Sequence, residues 1–209
     1  GVPVAIENDA NLGALGEGAY GSAQRVGSLF YLTLSTGIGS GYIVDGRIVD
    51  GLGAIAGEVF AIDPGVFFGR PTGETLLELA SGPGLVRTAL RRLASCRKST
   101  LNPDSLDPPA LLAAADAGDA VATEVVEASQ NAVAGLLITV ICAVAPEVVV
   151  LAGGLCTESR WFVDPVRQRV QKWLHIETLA NTPIRRAELW DAAVLYGAAE
   201  LARTAAERR

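Results

Sequence analysis

The hydrophobic pattern of the chain alternates between short apolar runs and stretches of helical spacing. Short runs of β-branched, aromatic or aliphatic residues predict strands at residues 2–6, 28–33, 42–49, 147–152 and 184–189. Apolar positions three and four residues apart predict helices at residues 8–17, from about 74 with a restart at Pro83, 119–144, 161–174 and 191–205. The order of these elements is typical of an α/β chain.

Two long segments carry neither pattern. Residues 51–73 are interrupted by glycine and proline and are predicted to form an irregular loop. Residues 96–109 are polar and contain proline, which predicts an exposed connection. Loops as long as the first are usually functional or mobile in compact domains, so residues 51–73 are a candidate part of a site.

A glycine-rich stretch at residues 34–41 lies between two predicted strands. A nucleotide-binding P-loop or dinucleotide fingerprint would run from a strand into a helix, whereas here Asp45-Gly46 predicts a further hairpin turn. Gly37, Gly39 and Gly41 would let backbone N–H groups converge on an anion without obstruction by a Cβ atom. A glycine-rich hairpin without any ligand is the alternative, and the stretch alone does not decide between them.

Composition narrows the class of protein. Of the 209 residues, 50% are apolar and 19% charged, which indicates a globular chain with a sizeable core. The net charge of −6 argues against a broad nucleic-acid-binding surface. The three cysteines and one histidine lack zinc-ligand spacing. The cysteines also suggest no disulfide framework, so a reducing, cytoplasmic setting is expected. The apolar run at residues 132–146 is too short for a membrane span and predicts a core helix.

The first candidate chemistry follows the first predicted strand. Glu7-Asn8-Asp9 lies where that strand ends and a helix begins, and α/β folds collect ligands at the carboxyl ends of strands. A carboxylate there can remove a proton from a substrate hydroxyl while a neighbouring amide orients it. The alternative is that Asn8 and Asp9 only cap the helix.

Five motifs in register resemble the ROK family, which groups bacterial sugar kinases with sugar-responsive transcriptional repressors. The motifs are Glu7-Asn8-Asp9-Ala10-Asn11, residues 34–41, Asp45-Gly46, Ala56-Gly57-Glu58 and Val150-Leu151-Ala152-Gly153-Gly154. Residues 189–199 are also similar to the C-terminal helix of that family, so the resemblance covers nearly the whole chain.

The resemblance implies the actin-like, ribonuclease H-like ATPase fold, with ATP bound between two lobes. It makes Asp9 the catalytic base, and Asn8 and Glu58 sugar ligands. The second phosphate-binding motif corresponds to Thr36, Gly37, Ile38 and Gly39, and the adenosine-binding motif to Gly153 and Gly154. Phosphoryl transfer depends chiefly on positioning and charge stabilisation, so a base, a phosphate cradle and a sugar clamp are the expected parts.

Three departures from the family pattern qualify this expectation. The D-x-G-G-T motif of the N-terminal lobe is missing, which predicts that residues 1–209 are a single C-terminal lobe whose partner lobe lies elsewhere in a longer protein. The family histidine after Glu58 is replaced by Ala61, and Leu77 stands where a sugar-contacting glutamate is expected. Residues 63–79 lack the cysteines of the family's zinc loop, so no structural zinc is expected, and aromatic packing within residues 60–68 is the hypothesis for its replacement.

The sequence therefore predicts part of a cytoplasmic, ATP- and Mg²⁺-dependent kinase of a hexose or N-acetylhexosamine. A sugar-sensing domain of a transcriptional regulator, which would contact DNA only through a further N-terminal domain, is the alternative, as is a non-catalytic descendant. A homodimer is expected, with no membrane contact.

Overall fold

The computed structural model describes residues 4–95, 98–158 and 160–207, and in these ranges it has five strands and eight α-helices. The strands are β1 (Ser28–Leu34), β2 (Ile38–Val44), β3 (Arg47–Ile48), β4 (Val148–Ala152) and β5 (Ile184–Arg186). The helices are α1 (Asp9–Tyr20), α2 (Leu76–Ala80), α3 (Gly82–Leu93), α4 (Pro108–Asp116), α5 (Ala120–Val144), α6 (Val163–Trp173), α7 (Glu177–Ala180) and α8 (Ala193–Glu207).

The strands form one mixed sheet in the order β3-β2-β1-β4-β5. Strands β1 to β3 are antiparallel, whereas β4 and β5 run parallel to β1, with Tyr31 opposite Val150. Every residue of β4 is buried, as its unbroken aliphatic sequence predicts for a strand covered on both faces. The carboxyl ends of β1 and β4 therefore meet at the same edge of the sheet.

Two hydrophobic clusters cover the two faces of this sheet. The larger one includes Leu32 and Leu151 from the sheet and packs them against α2 to α6. The smaller one includes Tyr31 and Val150 and packs them against α1. Alternate residues of β1 and β4 thus belong to opposite clusters, because successive side chains in a strand point to opposite faces.

Helix α8 lies directly against α1, with no room for side chains where they cross. A Cβ atom on Gly197 would lie 1.8 Å from the carbonyl oxygen of Leu12, and one on Gly16 would lie 2.1 Å from that of Ala193. The fully buried carboxylate of Glu17 accepts hydrogen bonds from the backbone N–H groups of Glu188 at 3.0 Å and Leu189 at 2.7 Å, and so fixes the turn that leads into α8.

The predicted strand at residues 2–6 is wrong for the part that the structure describes. Residues 4–6 have no regular structure, and Val4 and Ile6 are 81% and 94% exposed. An apolar run becomes a strand only when another strand supplies its hydrogen bonds, and the described part of the sheet ends at β3 and β5. Residues 1–3 lie outside the described ranges.

The predicted connection at residues 96–109 is partly wrong as well. Its last two residues begin α4, which is capped by the Asp107 carboxylate accepting from the Ala110 N–H at 2.8 Å. Consecutive prolines at the start of a helix cost little because the first N–H groups have no partner within the helix. Residues 96–97 lie outside the described ranges, and the short α7 was also not predicted.

The irregular loop at residues 51–73 contains three 3-10 turns and is closed by one carboxylate. Asp63 accepts hydrogen bonds from the backbone N–H groups of Gly65 at 2.8 Å, Thr72 at 2.8 Å and Gly73 at 2.7 Å. Slight burial would raise the pKa of Asp63, but these bonds outweigh it and lower the pKa below its usual value. Phe67 packs on Gly135 of α5. That such packing replaces a zinc site stays a prediction.

Helix α5 is long and apolar enough to cross a membrane by length and composition. In its most apolar stretch 61% of the residues are buried inside the fold, which is how the core helix of a compact domain behaves. Its N-cap is Asp119, which accepts from the N–H groups of Val121 and Ala122 at 3.0 Å each, and from that of Thr100 at 2.6 Å.

We expect Asp119→Asn to destabilise the fold by about 2 kcal/mol at neutral pH, because the amide nitrogen that replaces one carboxylate oxygen cannot accept the N–H of Thr100 or the hydroxyl of Ser99. Burial raises the pKa of Asp119, but the hydrogen bonds to Ala122, Thr100 and Ser99 outweigh it and hold the pKa well below its usual range. A depressed pKa stabilises the fold above the unfolded-state pKa, about 3.9, and this stabilisation is lost as the pH falls through the folded-state value. Urea unfolding at pH 7 and pH 3 should therefore show a smaller difference between wild type and variant at pH 3.

Asp107→Asn is the matched control, because Asp107 caps α4 through a single exposed hydrogen bond. It should cost less at pH 7 and show a weaker pH dependence. A cost for Asp119→Asn that is the same at both pH values would contradict the assigned role of its charge.

Candidate active site

Two cavities adjoin each other at the carboxyl ends of β1 and β4, beside the first turn of α1. The hairpin cavity, of about 400 Å³, is lined by Asn8, Asp9, Thr33, Ser35, Thr36, Gly37, Ile38, Gly39, Ser40, Glu58 and Phe60. The glycine-pair cavity, of about 450 Å³, is lined by Asp9, Ala10, Tyr31, Thr33, Ser35, Gly153, Gly154, Thr157, Trp190, Asp191 and Val194. All nine residues singled out in the sequence therefore line one cavity or the other, and Asp9 is the one among them that lines both.

Asn8 and Asp9 are placed by the start of α1. The Asn8 side chain accepts a hydrogen bond from the Ala10 N–H at 2.8 Å and is the N-cap of the helix. Asn8 therefore caps the helix, as the simpler interpretation of the sequence held, and also lines the hairpin cavity. Asp9 is the first helical residue and its side chain is exposed, so its carboxylate is available to a ligand in either cavity.

The glycine-rich stretch joins strand to strand, as predicted, but the turn itself spans only residues 35–37. A Cβ atom on Gly39 would lie 2.9 Å from the Cβ of Ala10, and one on Gly41 would lie 2.9 Å from Oδ1 of Asn11. Gly37 has open space around it. Two of the three glycines are thus required by the close packing of α1 on β2, a physical cause independent of any anion.

Glu58 reaches the hairpin cavity from the irregular loop. Its neighbour Gly57 has a φ of +90°, and the Gly57 carbonyl accepts a 2.5 Å hydrogen bond from the Ser40 hydroxyl of β2. This bond fastens the loop to the strand beside the turn. Glu58 is itself exposed. It is far from Asn8 along the chain, so only the tertiary fold brings the two residues to one cavity.

The glycine pair after β4 combines one constrained and one open position. Gly153 has a φ of +86°, and a Cβ atom there would lie 2.4 Å from the carbonyl oxygen of Leu34. Gly154 is exposed, and a Cβ atom there would meet nothing within 4 Å, so a ligand can approach the backbone closely. Cys156 is fully buried two residues later, which raises the pKa of its thiol and keeps it out of the site chemistry.

A larger apolar groove of about 740 Å³ continues from the two cavities. Besides Ser35, Thr36, Gly154 and Thr157 near the cavities, it is lined by residues from the starts of α3 and α4 and by Trp161, in particular Pro83, Val86, Arg87, Pro108 and Leu112. The sequence did not indicate this groove, because α4 was not predicted and the residues concerned are distant along the chain.

Four further residues of the glycine-pair cavity were also not singled out from the sequence: Tyr31, Thr157, Trp190 and Asp191. Burial raises the pKa of Tyr31, with smaller effects from the Glu17 and Asp9 carboxylates, so its hydroxyl stays neutral. The sequence did contain one indication of Trp190 and Asp191. Both belong to residues 189–199, which resemble the C-terminal helix of the family, but that resemblance predicted only a helix.

Comparison with known proteins agrees with this architecture. The family model of the ROK family matches residues 1–205. A glucokinase from Halalkalibacterium halodurans is 30% identical over 94% of this chain, and a xylose repressor from Caldicellulosiruptor bescii is 28% identical over 94% of it. The chain spans 62% of the length of that glucokinase and 51% of that repressor.

A solved structure shows the same fold. A ROK family glucokinase from Streptomyces griseus, in complex with glucose and AMPPNP, superposes with a TM-score of 0.79 at 30% identity, over 97% of this chain and 69% of the glucokinase. The chain is therefore an α/β protein with the actin-like ATPase fold. It belongs to the ROK family.

The glycines of β2 offer a test of why they are there. We expect Gly39→Ala to destabilise the fold by about 1–3 kcal/mol, because the added methyl group overlaps Ala10 and displaces the start of α1. Gly37→Ala is the matched control in the same hairpin and should change stability by less than about 0.5 kcal/mol, since its surroundings are open. Denaturant unfolding measures both, and equal costs would contradict the packing explanation.

Proposed function

We propose that the chain is the C-terminal lobe of an ATP-dependent sugar kinase that phosphorylates a hydroxyl of a hexose or N-acetylhexosamine. The observation that carries the proposal is the position of Asp9 on the wall shared by the hairpin cavity and the glycine-pair cavity. A base at such a junction can touch an acceptor hydroxyl in one cavity while the phosphoryl donor occupies the space beside it.

On the acceptor side, Asp9 acts as the general base. Its carboxylate takes the proton of the sugar hydroxyl, whose oxygen attacks the γ-phosphorus of ATP, and the bond between that phosphorus and the bridging oxygen breaks to release ADP. Asn8 and Glu58 line the same cavity and orient the sugar through its other hydroxyl groups. Ser40 supports Glu58 by holding the Gly57 carbonyl.

On the donor side, the hairpin residues Thr36, Gly37, Ile38 and Gly39 hold phosphate, and Gly153 and Gly154 admit the adenosine. The open surroundings of Gly37 and Gly154 support this assignment, because a phosphate or ribose can approach their backbone without meeting a Cβ atom. The apolar groove beside Gly154 has the chemistry to receive a purine base.

The donor set of the glycine-pair cavity fits Mg²⁺ bound together with nucleotide phosphates. Mg²⁺ is commonly held by one or two carboxylates plus phosphates and water, and Asp191 is the carboxylate on this cavity that would hold it, since Asp9 is assigned as the base. When bound, the ion neutralises charge on the phosphates. Within the described ranges no group of three or more His, Cys, Asp and Glu side chains could hold a metal ion by itself.

The intact protein would add a second lobe that closes over these cavities, and we propose that it acts as a cytoplasmic homodimer. The second lobe is supported by the finding that the chain spans only 62% of the length of a related glucokinase. Cys142 and Cys156 are free thiols, which supports a reducing compartment. Cys142 is exposed, because the last turn of α5 extends beyond the core.

A second candidate is the sugar-sensing domain of a transcriptional regulator, favoured by the 28% identity to a xylose repressor. In this case the hairpin cavity would bind a sugar without phosphoryl transfer. The carboxylate of Asp9 would then contribute hydrogen bonds to the sugar and no proton transfer.

For the kinase, we expect Asp9→Asn in the full-length protein to lower kcat by about 10²- to 10⁴-fold, the usual contribution of a general base. The isosteric amide keeps the hydrogen-bonding shape, so sugar and nucleotide binding should change little. ATP consumption across hexoses and N-acetyl sugars measures turnover, and sugar-induced thermal stabilisation measures binding.

Ser40→Ala is the comparison variant, since it releases Glu58 without touching the base. It should raise KM for the sugar and leave kcat within a few fold. Sugar-induced stabilisation of the wild type without turnover of any sugar, unchanged in Asp9→Asn, would instead support the sensor.

A further inference from the structure

Trp190 has a backbone conformation that bulky residues rarely adopt. Its φ is +49°, in the left-handed region where the Cβ atom crowds the following carbonyl group. The turn is held in place by the buried Glu17 carboxylate, which accepts from the N–H groups of Glu188 and Leu189. Conformations that the surrounding structure imposes in this way are concentrated at ligand sites.

The guanidinium of Arg186 stacks on the side chain of Trp190 at the edge of the glycine-pair cavity. The Arg186 guanidinium lies 5.2 Å from the centre of the Trp190 ring, and its Nη1 donates a 2.7 Å hydrogen bond to the Thr157 carbonyl. Trp190 and Thr157 both line the cavity that contains Gly153 and Gly154. The guanidinium is therefore held between two residues of the cavity wall.

The charge of Arg186 is available to a ligand. No carboxylate within the described parts of the chain forms an ion pair with Arg186. A guanidinium has five N–H donors, and the Thr157 carbonyl occupies one of its nitrogen atoms. Stacking on an aromatic ring leaves the edge of the guanidinium free, and that edge matches the oxygen atoms of a phosphate.

We propose that Arg186 binds a phosphate group of the nucleotide and that Trp190 is the positioning residue that holds it there. The proposal rests on the proposed function, because it requires a nucleotide beside Gly153 and Gly154. It adds what those glycines lack, since backbone N–H groups supply partial charges and Arg186 supplies a full positive charge on a chain of net charge −6.

Nucleotide titrations of the full-length protein test Arg186 directly. Arg186→Gln should weaken ATP binding by about tenfold, the size expected for a hydrogen bond to a charged group. Adenosine, which has no phosphate, should bind equally to variant and wild type. Arg186→Lys should lie between the two, and the loss should shrink at high salt because the site is near the surface.

Arg185→Gln is the matched control. Arg185 precedes Arg186 in β5, is also exposed, and also donates a 2.7 Å hydrogen bond to a backbone carbonyl, that of Ser22. Ser22 follows the C-terminal end of α1, whereas Asp9 of the cavity is at the opposite end of that helix, so Arg185 is held away from the cavity. An equal loss of ATP affinity in both variants, or an equal loss for adenosine and ATP in Arg186→Gln, would overturn the proposal.

Trp190→Asn tests the positioning role, since asparagine tolerates the left-handed backbone while lacking the ring. Alone it should weaken ATP binding about as much as Arg186→Gln, and the double variant should lose little more. Additive losses would show that the two residues act separately. Should Trp190→Asn fail to fold, Trp190→Gly replaces it with the same expected result, since glycine also tolerates the left-handed backbone.

Failure of the Arg186 proposal can be distinguished from failure of the proposed kinase function. Normal turnover with unchanged ATP affinity in Arg186→Gln would refute the role of Arg186 and leave the proposed function intact. Absence of ATP binding by the wild type would refute both.

Discussion

The crossing of α1 and α8 is the constraint on which the site depends. The two helix backbones touch at Gly16 and Gly197, where no other residue could fit, and the buried Glu17 carboxylate ties the turn before α8 to α1. A polar side chain is costly to bury unless hydrogen-bond partners surround it, so Glu17 specifies one arrangement of these elements. Asp9 at one end of α1 and Trp190 before α8 are placed by this single contact.

Close backbone packing also determines how α1 lies on the sheet. Gly39 and Gly41 let the helix lie on β2 without intervening side chains, which brings Asp9 within reach of the hairpin turn and of Glu58. The glycines that suggested a phosphate cradle are thus partly packing devices. These glycines affect the chemistry indirectly, because the close packing that they allow places the Asp9 carboxylate between the two cavities.

The site combines polar side chains with exposed backbone at the hairpin turn and the glycine pair. The hairpin turn and the glycine pair expose main-chain donors, and such fixed dipoles cost no reorganisation when a charged ligand arrives. Carboxylates at the junction are suited to proton transfer and to a hydrated cation. The one permanent positive charge that we assign to the glycine-pair cavity comes from β5, a strand of three residues.

Local physics explains which predictions succeeded. The Asp45-Gly46 turn and the start of α5 at Asp119 depend mainly on residues adjacent in the chain, and both were predicted correctly. The strand β4 was also predicted correctly, because the sheet supplies a partner strand on each side of it. The predicted strand at residues 4–6 failed because strand formation needs a partner. Helix α4 was missed because its two prolines look like part of a loop until their position in the first turn is known.

The sequence by itself determined the family, most of the order of the elements and nine of the residues that line the two cavities, because these depend on short motifs whose residues are contiguous in the chain. Tertiary structure alone decided that Asp9 borders two cavities, that the groove runs between the starts of α3 and α4, and that Arg186 stacks on Trp190. These relations join residues far apart in the chain, and only the packing of whole helices on a sheet fixes the distances between them.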